Sequence, residues 1–450
     1  MSNKSRAPRR NRETAPLPER PLTLKWVPPG SLTAVPGHAR AYSGKHLKKV
    51  AKSIEKLGFL SPVLVDDEGH IICGYVRVEA AKRLRLKAVP TVSISGMSDA
   101  EKAAYRIAEN KLGELGEWDD EALAAAFEGL LEDGFDVELT GFDTAEIDAA
   151  LAKLFGQSEG AVDLPSDEEP VVSRPGDLWC IGKHKVLCAD SCDPTSLERL
   201  MAGERAQMVF TDPPFNVAVG GNVAGIRKKK VPREFIMASG EMTPEQYREF
   251  LLRSMGNVAA ACAPGAIVFA CIDWRHLEDL VLAARQAGLE QVQLIVWSKT
   301  NAGMGSFYKS QHELIPVFKA PGDQHINNFG LGEKGRNRTN VWTYAGANGF
   351  RKGRSEDLQS HPTVKPTAMV ADAMRDCSKR GGIILDVFLG SGTTAVAAER
   401  TGRHCFGIEL DPAYVDVAVQ RIAREAGVEP ILENGMTFGQ VAAERLREAA

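Results

Sequence analysis

From residue 173 onward, short apolar runs alternate with helical patterns, and that alternation limits the folds open to the chain. Strand patterns recur at 185–188, 208–211, 266–271, 293–297, 314–319, 383–388 and 404–410. Helical periodicity fills 244–262, 274–287, 366–378 and 393–400. Strands that alternate with helices build a mostly parallel sheet covered on both faces. The expected class is therefore α/β, a Rossmann-like doubly wound sheet. Such sheets bind ligands beyond the carboxyl ends of their strands, so the residues at those ends are the candidate site.

Two of these ends carry chemistry. Ile383-Ile384-Leu385-Asp386-Val387-Phe388 runs into Leu389-Gly390-Ser391-Gly392-Thr393-Thr394, which opens a helix. Glycines let backbone turn tightly and approach a ligand closely. A second strand ends at Glu409, an acid able to accept hydrogen bonds from ribose hydroxyls. The loop lacks the Gly-Lys-Ser/Thr ending of a phosphate-binding loop and the third glycine of the dinucleotide fingerprint. A nucleoside without phosphates fits, and S-adenosylmethionine is the expected cofactor. Its candidate contacts here are Asp386, Phe388, Gly390, Ser391, Gly392, Thr393 and Glu409. The alternative is a bare tight turn in a nucleotide-free domain.

The other end is Met208-Val209-Phe210-Thr211 followed by Asp212-Pro213-Pro214-Phe215. Two prolines fix φ and remove two N–H donors, which leaves a stiff edge of one carboxylate, bare carbonyls and an aromatic face. An exocyclic amine is a poor nucleophile because its lone pair is delocalised into the base. Asp212 and the Pro213 carbonyl can accept its two N–H bonds, favour pyramidal nitrogen and stabilise the developing positive charge. Phe215 can stack on a base flipped out of the duplex. The catalytic set is Asp212, Pro213, Pro214 and Phe215. A rigid turn with Asp212 as a helix cap is the alternative.

With both motifs in place, the domain at 173–427 closely resembles, over about residues 173–425, the amino-group DNA methyltransferases of the permuted β class, in which the catalytic motif precedes the glycine loop. The resemblance implies that His361-Pro362-Thr363-Val364-Lys365-Pro366 closes over the methionine part of the cofactor, through His361, Thr363 and Lys365. It implies that Leu187-Cys188-Ala189-Asp190 contacts the adenine, with Asp190 as the acid, and it matches Trp297-Ser298-Lys299 and His312-Glu313 to the middle strands. The chain has no Pro-Cys pair, which removes cytosine C5 chemistry. Aspartate at position 212 leans toward adenine N6 over cytosine N4, where the family usually carries serine.

Residues 21–115 read as a smaller α+β module. A helix begins near Tyr42 and ends at Gly58; strands follow at 62–65, 70–73 and 89–94, with a helix through Val78, Ala81 and Leu84. The run Ser53-Ile54, Gly58, Pro62-Val63, Ile71-Ile72-Cys73-Gly74-Tyr75-Val76-Arg77 resembles the ParB/sulfiredoxin-like fold. Gly74-Tyr75-Val76-Arg77 keeps only the ends of the ParB nucleotide motif, and Tyr75 stands where the sulfiredoxin cysteine would be, so Cys73 reads as a core residue. No ParB-type helix-turn-helix is evident downstream. The module is expected to dock on DNA through its lysines and arginines, Lys45, Lys48, Lys49, Lys52, Lys56, Lys82, Arg83, Arg85 and Lys87.

Charge separates the remaining segments. Residues 113–170 hold 18 acidic side chains against Lys153 alone, a net −17 that leaves +13 for the rest of a chain of net charge −4. A basic remainder suits a nucleic-acid partner, here double-stranded DNA. The expected layout is a disordered basic arm (1–20), the ParB-like domain, an acidic helical connector and linker (116–172), the methyltransferase domain and a helical tail (428–450). DNA contacts are expected from the basic run Arg227, Lys228, Lys229, Lys230 and Arg233, and from Arg336 and Arg338 in a recognition segment at 320–360. No run of apolar residues is long enough to span a bilayer, no metal motif is present, and scattered cysteines without a C-x-x-C pair fit a reducing cytoplasm. Cytosine N4 methylation and a non-catalytic ParB-like DNA-binding protein remain the alternatives. A homodimer and a restriction partner are left open.

Overall fold

In a computed structural model the described residues are 22–35, 42–154, 170–217, 236–300, 308–329, 338–344 and 365–448. The basic arm, most of the acidic linker, and the expected site residues Arg227, Lys228, Lys229, Lys230, Arg233, Arg336, His361 and Thr363 lie outside them. The chain divides into two units, Met1–Asp143 and Thr144–Ala450.

The first unit runs β1 (Leu22–Val27), β2 (Thr33–Ala34), α1 (Gly44–Leu57), β3 (Val63–Val65), β4 (His70–Cys73), α2 (Tyr75–Arg83), β5 (Val89–Ile94), α3 (Asp99–Gly113) and α4 (Asp120–Glu132). Its sheet has the order β1-β5-β3-β4-β2. Val63, Val65, Ile71, Val78, Ala81 and Val89 form the core beneath it. Ser43 caps α1, and Gly58 at φ 88° ends it, a backbone region that favours glycine. The edge strand β1 and the helix α3 go beyond the sequence reading; both are largely exposed, so neither shows a buried stripe. Cys73 is partly buried, and burial pushes its thiol up to about 11. The lysines of α1 do not all stand free. Lys52 pairs with Asp136 at 2.8 Å, Lys45 with Asp143 at 3.5 Å, and Lys49 donates to the Gly141 carbonyl. Part of the acidic stretch thus folds back and neutralises the face expected to be basic.

The second unit opens with α5 (Thr144–Leu154), β6 (Leu178–Ile181), β7 (His184–Cys188), α6 (Pro194–Met201), β8 (Ala206–Thr211), α7 (Pro244–Ala261), β9 (Cys262–Ala270) and α8 (Leu277–Gln286). It continues through β10 (Glu290–Lys299), β11 (His312–Lys319), β12 (Val341–Tyr344), α9 (Thr367–Cys377), β13 (Ile383–Asp386), α10 (Thr393–Arg400), β14 (His404–Glu409), α11 (Pro412–Ala426), β15 (Ile431–Leu432) and α12 (Phe438–Glu448). Its strands form one ten-stranded sheet, β12-β10-β11-β9-β8-β13-β14-β7-β6-β15. The middle five strands, β9-β8-β13-β14-β7, are all parallel; antiparallel pairs lie outside them. One face packs on α9, α10 and α11 through residues such as Met369, Ala395 and Val419, the other on α6, α7 and α8 through Leu197, Tyr247 and Leu280. Strand residues alternate between the two cores: Ile384 goes one way, Ile383 and Leu385 the other. The doubly wound sheet is present, and the seven strand positions read from the sequence are all occupied by strands.

Helix α5 belongs to this unit through a buried charge cluster. Asp148 is 1% exposed and receives Arg403 at 3.0 and 2.8 Å and Arg380 at 3.0 Å. Arg403, itself 1% exposed, also donates to Ser378 Oγ and to the carbonyls of Ser378 and Thr401. Removing one member of such a cluster leaves buried charge and carbonyls short of partners. Arg403→Met is expected to cost about 3–5 kcal/mol of stability. Urea unfolding measures it, and a loss below about 1 kcal/mol would make the cluster peripheral.

Candidate active site

The glycine loop is built on β13 and ends in α10. Gly390 and Gly392 take φ of 53° and 84°. A side chain at Gly392 would also meet Ala418 of α11 at 3.2 Å, so this glycine serves helix packing as well as the turn. Asp386 braces the loop from below. Its Oδ1 accepts from Thr211 Oγ1 at 3.1 Å and from the Phe388 N–H at 3.1 Å, and its Oδ2 accepts from Thr394 Oγ1 at 2.6 Å. Burial raises its carboxyl to about 6. The Thr211 bond ties the glycine loop to the strand that carries Asp212. Arg421 of α11 fixes the loop from outside, donating to the Ser391 carbonyl at 3.1 Å and to Thr393 Oγ1 at 3.0 Å. The Phe388 ring leans on Phe250 at 5.6 Å.

Glu409 ends β14 beside the loop. Its Oε2 accepts from the Gly390 N–H at 2.8 Å and its Oε1 from the Asp411 N–H at 2.9 Å. Burial raises it to about 7. The next strand over, β7, leads to Asp190, whose Oδ1 accepts from the Cys192 N–H at 2.8 Å, while the Ala189 N–H bonds the Glu409 carbonyl. Asp190, Glu409, Asp386 and Asp212 therefore follow the carboxyl ends of four adjoining strands, β7, β14, β13 and β8. An acidic edge of this kind suits hydroxyl groups and a positive charge and opposes phosphates. The donor set fits a cationic, phosphate-free nucleoside.

Asp212 follows β8 directly. The Pro214 carbonyl after it accepts from the buried Tyr247 hydroxyl at 2.9 Å. Asn216 at φ 52° turns the chain away, and its side chain bonds Gly240 and Met242. The Pro-Pro edge is thus held from both sides. Asp212 Oδ2 accepts from Lys365 Nζ at 2.6 Å, and Asp212 Oδ1 is buried with no hydrogen-bond partner among the described residues. Lys365 is 7% exposed; it also reaches Glu313 Oε2 at 3.1 Å and lies 5.5 Å from the centre of the Phe215 ring. Glu313 in turn holds Lys299. Burial pushes the Asp212 carboxyl up, Lys365 pulls it down, and Glu313 pushes it up again.

Of the expected cofactor residues, Asp190, Asp386, Phe388, Gly390, Ser391, Gly392, Thr393 and Glu409 converge on this edge. Lys365, expected there by its motif, bonds Asp212. Arg338 corrects an expectation. Its guanidinium lies between Asp372 at 3.2 Å and Asp376 at 3.3 Å, over the Trp342 ring, and is 16% exposed, so it is committed to the fold rather than offered to DNA. Asn328 and Trp342, in the same segment, are buried in the core. Sequence reasoning missed the pairing of Lys365 with Asp212 and Glu313 and the support given by Tyr247 and Arg421. His312-Glu313 and Trp297-Ser298-Lys299 were visible as strand motifs, without a role.

A doubly wound sheet with a glycine loop and a proline-stiffened carboxylate on one acidic edge defines a nucleoside-dependent group-transfer fold. Comparison with known proteins makes this specific: residues 206–420 match the N6/N4 DNA methylase family. Residues 23–111 match the ParB N-terminal domain, and residues 121–175 match the ParB-methyltransferase HTH domain. The last match corrects the reading of that stretch as a connector without a helix-turn-helix. Type II methyltransferase M.ScaI of Streptomyces caespitosus is 36% identical over 111 residues, which are 25% of this chain and 36% of M.ScaI. Type II methyltransferase M2.DpnII of Streptococcus pneumoniae is 26% identical over 254 residues, 54% of this chain and 91% of that protein. The solved structure of a putative DNA modification methylase of Thermus thermophilus, complexed with S-adenosyl-L-methionine, has a TM-score of 0.37 and 23% identity, covering 54% of this chain and 94% of its own. Among the described residues, no helix is long and apolar enough to cross a membrane.

The two raised acids predict how stability follows pH. Asp386 at about 6 and Glu409 at about 7 lie above their unfolded values, about 4. The native state therefore holds the extra protons, and the stability they contribute is complete below about pH 4 and lost as pH rises through 6 to 7. The melting temperature should carry a falling component from pH 5 to 8, and Glu409→Gln should flatten it. A Glu409→Gln profile parallel to that of the wild type would mean that Glu409 is ionised throughout.

Proposed function

We propose that the chain is an S-adenosylmethionine-dependent DNA methyltransferase that transfers a methyl group directly to adenine N6 of a flipped base. The observation that carries this reading is Asp212 Oδ1, buried and without a hydrogen-bond partner among the described residues, at the acidic edge of the sheet. Bound there, S-adenosylmethionine supplies an electrophilic methyl group. Glu409 accepts from the ribose hydroxyls, Asp190 faces the adenine, and the Gly390–Gly392 turn lets the backbone approach the nucleoside. Asp386 positions the loop. On the acceptor side, Asp212 Oδ1 and the Pro213 carbonyl take the two N–H bonds of the exocyclic amine, and Phe215 stacks on the base. The nitrogen gains positive charge as it attacks, and Asp212 stabilises that charge where it develops. Cytosine N4 presents the same amine; aspartate rather than serine at position 212 favours adenine.

Incubating the chain with unmethylated genomic DNA and labelled cofactor tests this. Nucleoside digestion should yield N6-methyladenine, and Asp212→Ala should abolish labelling while cofactor affinity stays within a few-fold. Glu409→Ala should weaken the cofactor by about 10- to 100-fold, the loss of charge-assisted hydrogen bonds. N4-methylcytosine as the product would transfer the assignment to the other base. Full activity of Asp212→Ala would sink the mechanism.

DNA docking is assigned to the ParB-like unit and the helix-turn-helix segment that follows it. The basic residues of α1 and α2 that remain unpaired with the 136–143 stretch, together with the HTH match, support this. The basic run Arg227, Lys228, Lys229, Lys230 and Arg233, which follows the Asp212 motif in the sequence, is assigned to DNA phosphates. A chain starting at Thr144 retains α5 and its Asp148 cluster. It should bind cofactor as the full chain does but bind DNA more weakly, with a shallower salt dependence in a filter-binding assay. Equal DNA affinity would remove the first unit from docking.

A further inference from the structure

Glu313 and Lys365 stand at the heart of the site without a part in the scheme above. Two ammonium groups and two carboxylates meet there, a balanced set. Glu313 Oε1 holds Lys299; Glu313 Oε2 faces Lys365 at 3.1 Å; Asp212 Oδ2 accepts from Lys365 at 2.6 Å. Three of the four carboxylate oxygens therefore face an ammonium, and the fourth, Asp212 Oδ1, has no hydrogen-bond partner among the described residues. Glu313 Oε2 likewise makes no hydrogen bond among the described residues, but it faces the Lys365 ammonium at 3.1 Å; Asp212 Oδ1 is the oxygen of the set that faces no cation, and an attacking amine would bring one. Lys299 is braced against the buried Trp297 ring, 4.8 Å away, so the cluster is fixed by the strand ends of β10 and β11.

We propose that Lys365 is a positioning residue for Asp212: it holds Oδ2 and favours the ionised carboxylate, leaving Oδ1 alone for the target amine, while Glu313 anchors the ammonium and, by its like charge, opposes ionisation of Asp212. This rests on the methyl-transfer reading and deepens it. Among the described residues, the Lys365 ammonium contacts Asp212 and Glu313 and lies 5.5 and 6.0 Å from the centres of the Phe215 and Trp297 rings. The other titratable groups that face the cluster are Cys271 beyond β9, Asp386 at the end of β13 and Tyr247 of α7. Burial holds the Cys271 thiol and the Tyr247 phenol well above their ordinary values, so both stay neutral across the acid limb.

The test is the acid limb of the pH–rate profile in the full chain. Lys365→Met removes the cation beside Asp212 and should move the limb about one pH unit or more toward alkali, with kcat falling and the cofactor KM little changed. Lys365→Arg should restore the limb. Glu313→Gln removes the like charge and should move the limb the other way, toward acid. Loss of shape alone does not displace a limb in opposite directions. Two limbs that stay in place, or that move the same way, would overturn the proposal. If the variants are too slow to assay, carboxyl carbon titration by NMR of aspartate-labelled chain reads the same quantity, with Asp212→Asn assigning the signal. Again, opposite displacements are required. A wild-type chain that methylates no DNA would overturn the methyl-transfer reading, while the NMR titration would still decide the link between Glu313 and Asp212.

Discussion

Four carboxylates crowd the carboxyl ends of adjoining strands, and the local structure around them answers that crowding. A buried carboxylate is costly unless hydrogen bonds or an opposite charge support it. Asp386 has two threonine hydroxyls and an N–H, Glu409 has two N–H groups, and Asp190 has one. Asp212 alone is given a full ammonium, from Lys365. The hierarchy has chemical sense. On the proposed function, backbone donors suit the carboxylates assigned to hydroxyls, while the one assigned to a developing cation must remain charged and leave one oxygen open. The same supports tie the loops together, since Thr211 of β8 bonds Asp386 of β13 and Gly390 bonds Glu409 of β14.

What could be read in the sequence was whatever is local. The parallel strands announced themselves as apolar runs, and the glycine loop and Asp-Pro-Pro-Phe gave their positions at the strand ends, because each is a contiguous peptide with an unusual backbone demand. Lys365 could not be read in the same way. It lies 153 residues from Asp212, and its motif pointed to the cofactor. Only the sheet order, which lays β11 and β10 beyond β9 and β8, brings Glu313 and Lys299 to the same edge. Arg338 failed for the opposite reason. Arginine and asparagine in a polar stretch suggest base reading, but β12 adds to the sheet edge, and Arg338 is occupied by Asp372 and Asp376 of α9. Residue type alone does not say whether a guanidinium is free.

The acidic stretch 113–170 shows how charge counting can be right in sum and uninformative in detail. Its net −17 suggested a solvated connector. Asp136, Glu138 and Asp143 instead work within the first unit, against Lys52 and Lys45 of α1. Asp148, a few residues on, is 1% exposed and works within the second, beneath Arg380 and Arg403. The acids at 136–143 are solvent-screened pairs of small individual worth. Asp148 is a buried ion that the fold cannot lose without leaving two arginines short of a counter-charge. A helix-turn-helix match that begins in α4 and runs past α5 therefore spans two physical regimes. Its first helix lies in the unit with the ParB-like sheet, and its later helix is anchored by buried charge to the methylase sheet. Buried apolar residues such as Phe127, Leu139 and Ile147 are spread through the segment, and Asp148 adds a charge whose partners lie more than 200 residues further along the chain, a pairing that no local pattern announces.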